Sequence, residues 1–273
     1  MAGSIWTCSI TPTPSLRFRK PVSLITDPWF YALAIPALLI TGISKGGFAS
    51  GGGNLAVPAM ALLIPPAQAA AITLPVLCAM DLAGLRAWWG RWNAREMRVI
   101  LPGGLLGILA GAFAFGLMSN NAVKLMVGAI SLIFIARGIW VARRGPPAPS
   151  THNPAKGGFW GAVSGFTSTL AHAGGPPLAM YLYPLRLPRA ELSGTTVVFF
   201  GVVNYVKLVP YAALGQLSAT NLLTSLVLLP LAPIGVRMGV WLHGRVSDKV
   251  FYRVIYVLLG ATGVKLVMEG LGL

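Results

Sequence analysis

Apolar residues along this chain come in long runs that break at glycine, proline or short basic loops, and neither a strict helical stripe nor a strand alternation dominates. The first 27 residues are polar, with Arg17, Arg19, Lys20 and a Thr-Pro-Thr-Pro stretch. Lacking an apolar h-region, they do not form a secretory signal and are read as a tail. Apolar runs then occupy 28–44, 54–64, 67–89, 99–118 and 124–142. A linker from Arg143 to Lys156 carries Gly-Pro-Pro-Ala-Pro, and further runs fill 157–171, 176–185, 192–213, 222–241 and 251–268. About 20 apolar residues in a helix cross a bilayer, and helices satisfy their own backbone groups in lipid. The pattern predicts an all-α, polytopic transmembrane bundle. Its parts are the tail (1–27), a first transmembrane repeat (28–142), a basic linker (143–156) and a second repeat (157–270).

Composition narrows this. Of 273 residues, 55% are hydrophobic and only 10% charged, with a mean hydropathy of +0.73. Soluble domains carry about 25% charged residues, so most soluble enzymes, disordered chains and coiled coils are excluded. The net charge of +15 would suggest nucleic acid in a soluble protein, but here the basic residues fall mainly in short loops. That is the positive-inside pattern of an inner-membrane protein. No basic face is long enough to track phosphates, so nucleic acid is not an expected partner. Cys8 and Cys78 suggest neither a disulfide nor a metal site, and no cofactor is expected.

The two halves resemble each other at a shift of 123 residues. Comparing 42–73 with 165–196 without gaps pairs Gly42 with Gly165, and Gly51-Gly52 with Gly174-Gly175. It also pairs Leu55-Ala56 with Leu178-Ala179, and Leu62, Pro65, Ala67 and Thr73 with Leu185, Pro188, Ala190 and Thr196. These are nine identities in 32 positions, where biased composition gives about two or three. Loop charge alternates oppositely in the two halves. Residues 65–68 are bare and their partners hold Arg186 and Arg189. Residues 90–98 hold Arg91, Arg95 and Arg98, and their partners near 213–221 are bare. The positive-inside rule then makes the repeats inverted. Inversion requires that 28–64 and 157–185 each contribute no net crossing, as a re-entrant helical hairpin with a glycine turn does. Hydropathy that treats each hairpin as one span gives eight helices. The scheme places the basic tail outside, against the same charge rule.

The two glycine segments are the candidate site. The first reads Gly42-Ile-Ser-Lys-Gly-Gly-Phe-Ala-Ser-Gly-Gly-Gly-Asn54, and the second Gly165-Phe-Thr-Ser-Thr-Leu-Ala-His-Ala-Gly-Gly-Pro-Pro177. Backbone N–H groups at a following helix N-terminus bind anions, and broken helices meeting at mid-membrane form transporter sites. Glycine serves close helix packing equally well.

These residues resemble the sulfite exporter TauE/SafE family of membrane permeases. The resemblance lies in Gly46-Gly47 through Gly51-Gly52-Gly53, Val57-Pro58 and Pro65-Pro66…Ala-Ile-Thr73. It recurs in Gly174-Gly175-Pro176-Pro177 and Arg189-Ala-Glu-Leu-Ser-Gly-Thr195-Thr196, and covers about 28–270. It implies passage of small, often sulfur-containing anions such as sulfite or organosulfonates. Lys45 departs from the usual glycine run and leaves the particular anion open.

Individual side chains suggest roles. Lys45 stands where the first run breaks, as a cation for the substrate or a snorkelling residue. Asp81 lies deep in an apolar run with Asn204 at the equivalent position and Lys207 one turn beyond. It is either a proton carrier or a static partner of Lys207, Arg86 or Lys45. His172 at the second glycine turn is a hydrogen-bond donor or shuttle, or a packed residue. Ser44, Gly51, Gly52, Gly53, Asn54, Thr73, Ser168, Thr169, Gly174, Gly175, Thr196 and Asn204 complete the substrate-binding candidates. Serine and threonine in helices also bond back to their own backbone. Arg137 is expected to snorkel to the basic side, and Lys265 and Glu269 to pair at four-residue spacing.

The expected function is a secondary transporter of a small anion by alternating access, multi-pass in the bacterial plasma membrane. A coupling proton and a homo-oligomer are open as partners. No nucleotide-binding P-loop is present. The alternatives are an intramembrane enzyme, with Ser164 or Ser168 beside His172 but no hydrolase elbow or zincin motif, and an anion channel.

Overall fold

A computed structural model describes residues 24–47, 54–145, 147–242, 245 and 248–273. The described residues form eleven α-helices and one 3-10 turn, without strands. The first half holds α1 (Pro28–Gly47), α2 (Ala56–Met60), α3 (Pro66–Trp88), α4 (Ala94–Leu117) and α5 (Asn120–Arg144). The second holds α6 (Pro154–Ala171), α7 (Gly175–Leu182) with the 3-10 turn Tyr183–Leu185, α8 (Arg189–Ala213), α9 (Ala219–Leu228), α10 (Leu231–Leu242) and α11 (Asp248–Leu271).

Local chemistry sets the ends. Asn93, Ser119, Asn153 and Ser218 cap α4, α5, α6 and α9, each side chain accepting a first-turn N–H. Proline opens α3 and immediately precedes α8, where a missing N–H costs nothing. The single run expected over 222–241 is divided into α9 and α10 at Leu229-Pro230, because proline removes a helix hydrogen bond. Seven described segments are long and apolar enough to cross a membrane, α9–α10 counting as one. The hydropathy count of eight differs by α6, whose glycine, serine, threonine and Lys156 dilute its 18 residues.

The helix pairs cross between the halves. α4 lies along α6, and its counterpart α10 lies along α1; α5 packs on α11, and α3 on α8. Glycine permits the closest of these approaches. A Cβ on Gly107 or Gly165 would run into the backbone carbonyls of Ala162 and Gly104, and one on Gly46 into that of Val236. Without a hydrophobic drive between helices in lipid, such contact supplies the packing.

Hydrogen bonds fix which ends lie together. Asn93 N–H donates to Thr195 Oγ1 (2.8 Å), Ser150 N–H to the Pro184 carbonyl (2.8 Å) and Arg186 to the Pro147 carbonyl (3.2 Å). The helix ends and loops carrying Arg91, Arg95, Arg143, Arg144 and Arg186 therefore share one end of the bundle. At the opposite end Gln68 donates to Asn221 (3.1 Å) and Lys124 pairs with Glu269 (2.6 Å). Lys265 lies 3.8 Å from the same carboxylate, at the expected four-residue spacing. Large apolar side chains such as Trp29, Phe113 and Val209 face outward, as a lipid-facing surface requires.

Candidate functional site

The second glycine segment breaks the chain between α6 and α7. His172 closes α6 in the left-handed region (φ 50°) and its N–H returns to the Ser168 carbonyl. Such a residue ends a helix by turning the chain sharply. α7 then folds back along α6: Ser164 Oγ donates to the Gly174 carbonyl at 2.7 Å. Gly174 is required there, because a Cβ would press on the Ser164 carbonyl and hydroxyl. At its far end α7 offers Tyr181, whose hydroxyl donates to Glu96 Oε2 (2.6 Å) and sits 3.4 Å from the Asn153 nitrogen. Both ends of the α6–α7 hairpin thus lie at the basic end.

Where the broken segments meet there is a cavity of about 40 Å³, lined by Thr41, Lys45, Asn54, Leu77, Ser168, His172, Gly175, Phe200 and Asn204. Several of these are equivalent across the 123-residue shift. Lys45 matches Ser168, Leu77 matches Phe200, and Asn204 matches Asp81, which lies directly behind it. Two pairs of equivalent positions, Lys45 with Ser168 and Leu77 with Phe200, therefore face the cavity from the two halves.

Its polar groups are tied from behind. Asp81, 1% exposed, pairs with the Lys45 ammonium through one oxygen and accepts from Asn204 Nδ2 at 2.5 Å through the other. Of the three cations the sequence offers Asp81, the structure selects Lys45. Lys207, fully buried, goes elsewhere. It donates to the Ser168 carbonyl (3.0 Å), Ser168 Oγ (2.9 Å) and His172 Nδ1 (2.8 Å). His172 Nε2 lies 2.9 Å from the Ala70 carbonyl. Nδ1 lies 3.0 Å from the Ser168 carbonyl as well as beside Lys207; an ammonium only donates, so Nδ1 accepts from Lys207 and Nε2 carries the hydrogen towards Ala70. Tyr211 donates to the Thr169 carbonyl (2.6 Å) and stacks between His172 and Phe115.

Asn54 Oδ1 accepts from the Ala56 N–H (2.9 Å) and Thr41 Oγ1 (3.1 Å). Its amide Nδ2 is buried with no hydrogen-bond partner among the described residues. Gly175 opens α7 at the cavity wall, and Pro176 and Pro177 follow it. The backbone N–H groups of that first turn are thereby reduced to the one on Gly175 before Leu178.

The structure brings Lys45, Asn54, Ser168, His172, Gly175 and Asn204 together, with Asp81 and Lys207 immediately behind them. It does not bring Thr73 or Thr196 there. Both hydroxyls bond back to carbonyls four residues earlier, at Ala69 and Leu192. Thr169 likewise bonds to the Gly165 carbonyl. Ser44 is buried in α1 and Gly174 forms the turn, neither lining the cavity. Gly51, Gly52 and Gly53 lie outside the described residues. Arg137 reaches inward to the Pro176 carbonyl (3.4 Å) rather than only to an interface. Thr41, Leu77 and Phe200 were not singled out from the sequence. Leu77 and Phe200 lie one turn before Asp81 and Asn204, so the repeat shift applied one turn along those helices finds them. Thr41 has no such pointer beyond standing one turn before Lys45.

Comparison with known proteins agrees with this architecture. A probable sulfite/organosulfonate exporter of Cupriavidus necator is 23% identical over 211 residues, covering 77% of this chain and 82% of that protein. No solved structure matches at a significant level. The signature of one family, sulfite exporter TauE/SafE, runs over residues 34–266. That span takes in both broken segments and every residue of the cavity, and the chain belongs to the sulfite exporter TauE/SafE family.

Proposed function

We propose that the chain is a secondary transporter that carries a small sulfur-containing oxyanion through the cavity between α1, α3, α6 and α8. The observation that carries this is the cavity itself. It joins an unpaired amide at Asn54 and the amino end of α7, with the Lys207 ammonium directly behind Ser168 and His172, three features that favour negative charge. The relative from Cupriavidus necator, named as a sulfite/organosulfonate exporter, supports the sulfur class.

Alternating access is the mechanism that suits this arrangement. The pairing of α1 with α10 and α6 with α4 supports two repeats that exchange partners, and the gathering of basic loops at one end supports inversion. In this reading α1–α2 enters from the bare side and α6–α7 from the basic side, each returning to the side it left. Rocking of one helix set against the other would then open the cavity to each face in turn. The hydrolase alternative is weakened by bonding: Ser164 is spent on Gly174, and Ser168 and both nitrogens of His172 are engaged with Lys207 and Ala70. No nucleophile–base pair is left poised.

Purified protein in liposomes tests the proposal. Sulfite, sulfate, thiosulfate, sulfoacetate and a carboxylate are offered with and without a pH gradient. Saturable flux of a sulfur anion is the expected result. Folded protein that moves none of them overturns it.

A further inference from the structure

The cavity has a definite charge. Among the described residues, four ionisable groups form its immediate wall and backing: Lys45, Asp81, Lys207 and His172. Asp81 cancels Lys45 at contact distance, and Asn204 holds the other carboxylate oxygen. Lys207 has no carboxylate. Its three contacts are a carbonyl, a hydroxyl and an imidazole nitrogen, matching the three hydrogens of an ammonium. His172 is neutral in this arrangement, because a proton on Nδ1 would point at the Lys207 ammonium. The nearby Cys78 thiol and Tyr211 phenol are ordinarily uncharged at pH 7. Arg137, on α5, donates to the Pro176 carbonyl and does not line the cavity. One positive charge is left over, fully buried, with only dipoles to solvate it.

We infer that the site is built for a substrate carrying one negative charge, so that a monoanion neutralises Lys207 while a dianion brings an uncompensated charge into the membrane interior. This rests on the transporter reading above. The remaining wall fits such a substrate: Leu77 and Phe200 add apolar groups to the lining, suited to the carbon substituent of a sulfonate. His172 cannot supply a second charge without breaking its bond to Lys207, so acidification to pH 6 adds no charge to the wall. Burying an unmatched charge is the larger penalty in specificity, which sets the expected ratio at about tenfold or more.

Flux of methanesulfonate, a permanent monoanion, is compared with that of sulfate, a permanent dianion with the same oxygen face, in proteoliposomes of the full chain at pH 6. Methanesulfonate is expected to enter about tenfold or more faster. Sulfite, which exchanges its own proton near neutrality, is expected to enter in proportion to its monoanionic fraction. Equal flux of sulfate and methanesulfonate overturns the charge assignment while leaving the transporter intact. Absence of flux for all three anions removes the transporter reading and this inference together. Asp81→Asn adds a second net positive charge and is expected to shift the ratio towards sulfate; should that variant fail to fold, the methanesulfonate-to-sulfate ratio of the unaltered protein decides.

Discussion

The two broken helices end differently. α1 carries its own lysine in its last turn, and that lysine is matched by a carboxylate from α3. α6 has serine at the equivalent position and borrows its lysine from α8. Both helix C-termini therefore receive an ammonium, as the negative end of the helix dipole favours. The first ammonium is neutralised within the protein, and the second is not. The two breaks thus hold one closed ion pair and one open charge, and in the proposed transporter the open charge is the one a substrate anion neutralises.

This difference can be broken from the closed side first. Asp81→Ala strips Lys45 of its counter-charge inside the bundle. Removing one member of a buried pair costs about 3–5 kcal/mol, and the 19% exposure of Lys45 places the expected loss near the lower bound. Thermal unfolding in detergent is the check. The double variant Lys45→Met with Asp81→Leu is expected to recover most of that stability, since two apolar groups replace a matched pair. Failure of the double variant to recover would show that Asp81 matters for something other than Lys45.

Lys207→Met acts on the open side, and its effect on flux is expected to exceed its effect on folding. The substitution leaves Ser168 and His172 without their donor, yet it also removes a buried charge that only dipoles solvate. These terms oppose, and the net change is expected to stay within about 1 kcal/mol. Anion flux is expected to fall by about 100-fold, because the recruiting charge is gone. A stability loss as large as that of Asp81→Ala, with flux retained, would reverse the roles assigned to the two lysines. Next in size, Asn54→Leu is expected to raise KM by about tenfold with little change in kcat, since a hydrogen bond to a charged ligand is worth about 1.5–3 kcal/mol.

Much of this was legible in the sequence, and the parts that were not have physical reasons. Runs, linker and breaks follow from hydropathy and proline, so α3, α4, α5 and α8 lie close to their expected spans. The 123-residue shift places Asp81 opposite Asn204, and the structure joins them in a hydrogen bond. Pairing was harder. Lys45, Arg86 and Lys207 were all open as partners for Asp81, and only the approach of α1 to α3 decides among them. Thr73 and Thr196 recur at equivalent positions, which suggested ligands. A hydroxyl within a helix always has a carbonyl four residues back, and here both take it. The cavity's apolar side, Leu77 and Phe200, carried no chemical signal in runs made almost entirely of such residues.

The smallest predicted effect bears on how the open end is kept in place. Tyr211 is fully buried on α8, one turn beyond Lys207, and its hydroxyl donates to the Thr169 carbonyl in the last turn of α6. The two residues together bind successive carbonyls of that turn, at Ser168 and Thr169. The equivalent of Tyr211 in the first half is Trp88, at the end of α3, and α1 shows no such clamp among the described residues. Tyr211→Phe keeps the ring that stacks on His172 and Phe115 and deletes only the hydroxyl. The Thr169 carbonyl then loses its donor, for an expected cost of about 1 kcal/mol. If the clamp serves only folding, flux changes no more than stability does. If it fixes the carbonyl end that Lys207 faces, KM rises measurably in a protein that still melts within a few degrees of the unaltered one, and the open charge is then shown to depend on a positioning contact that the closed pair does without.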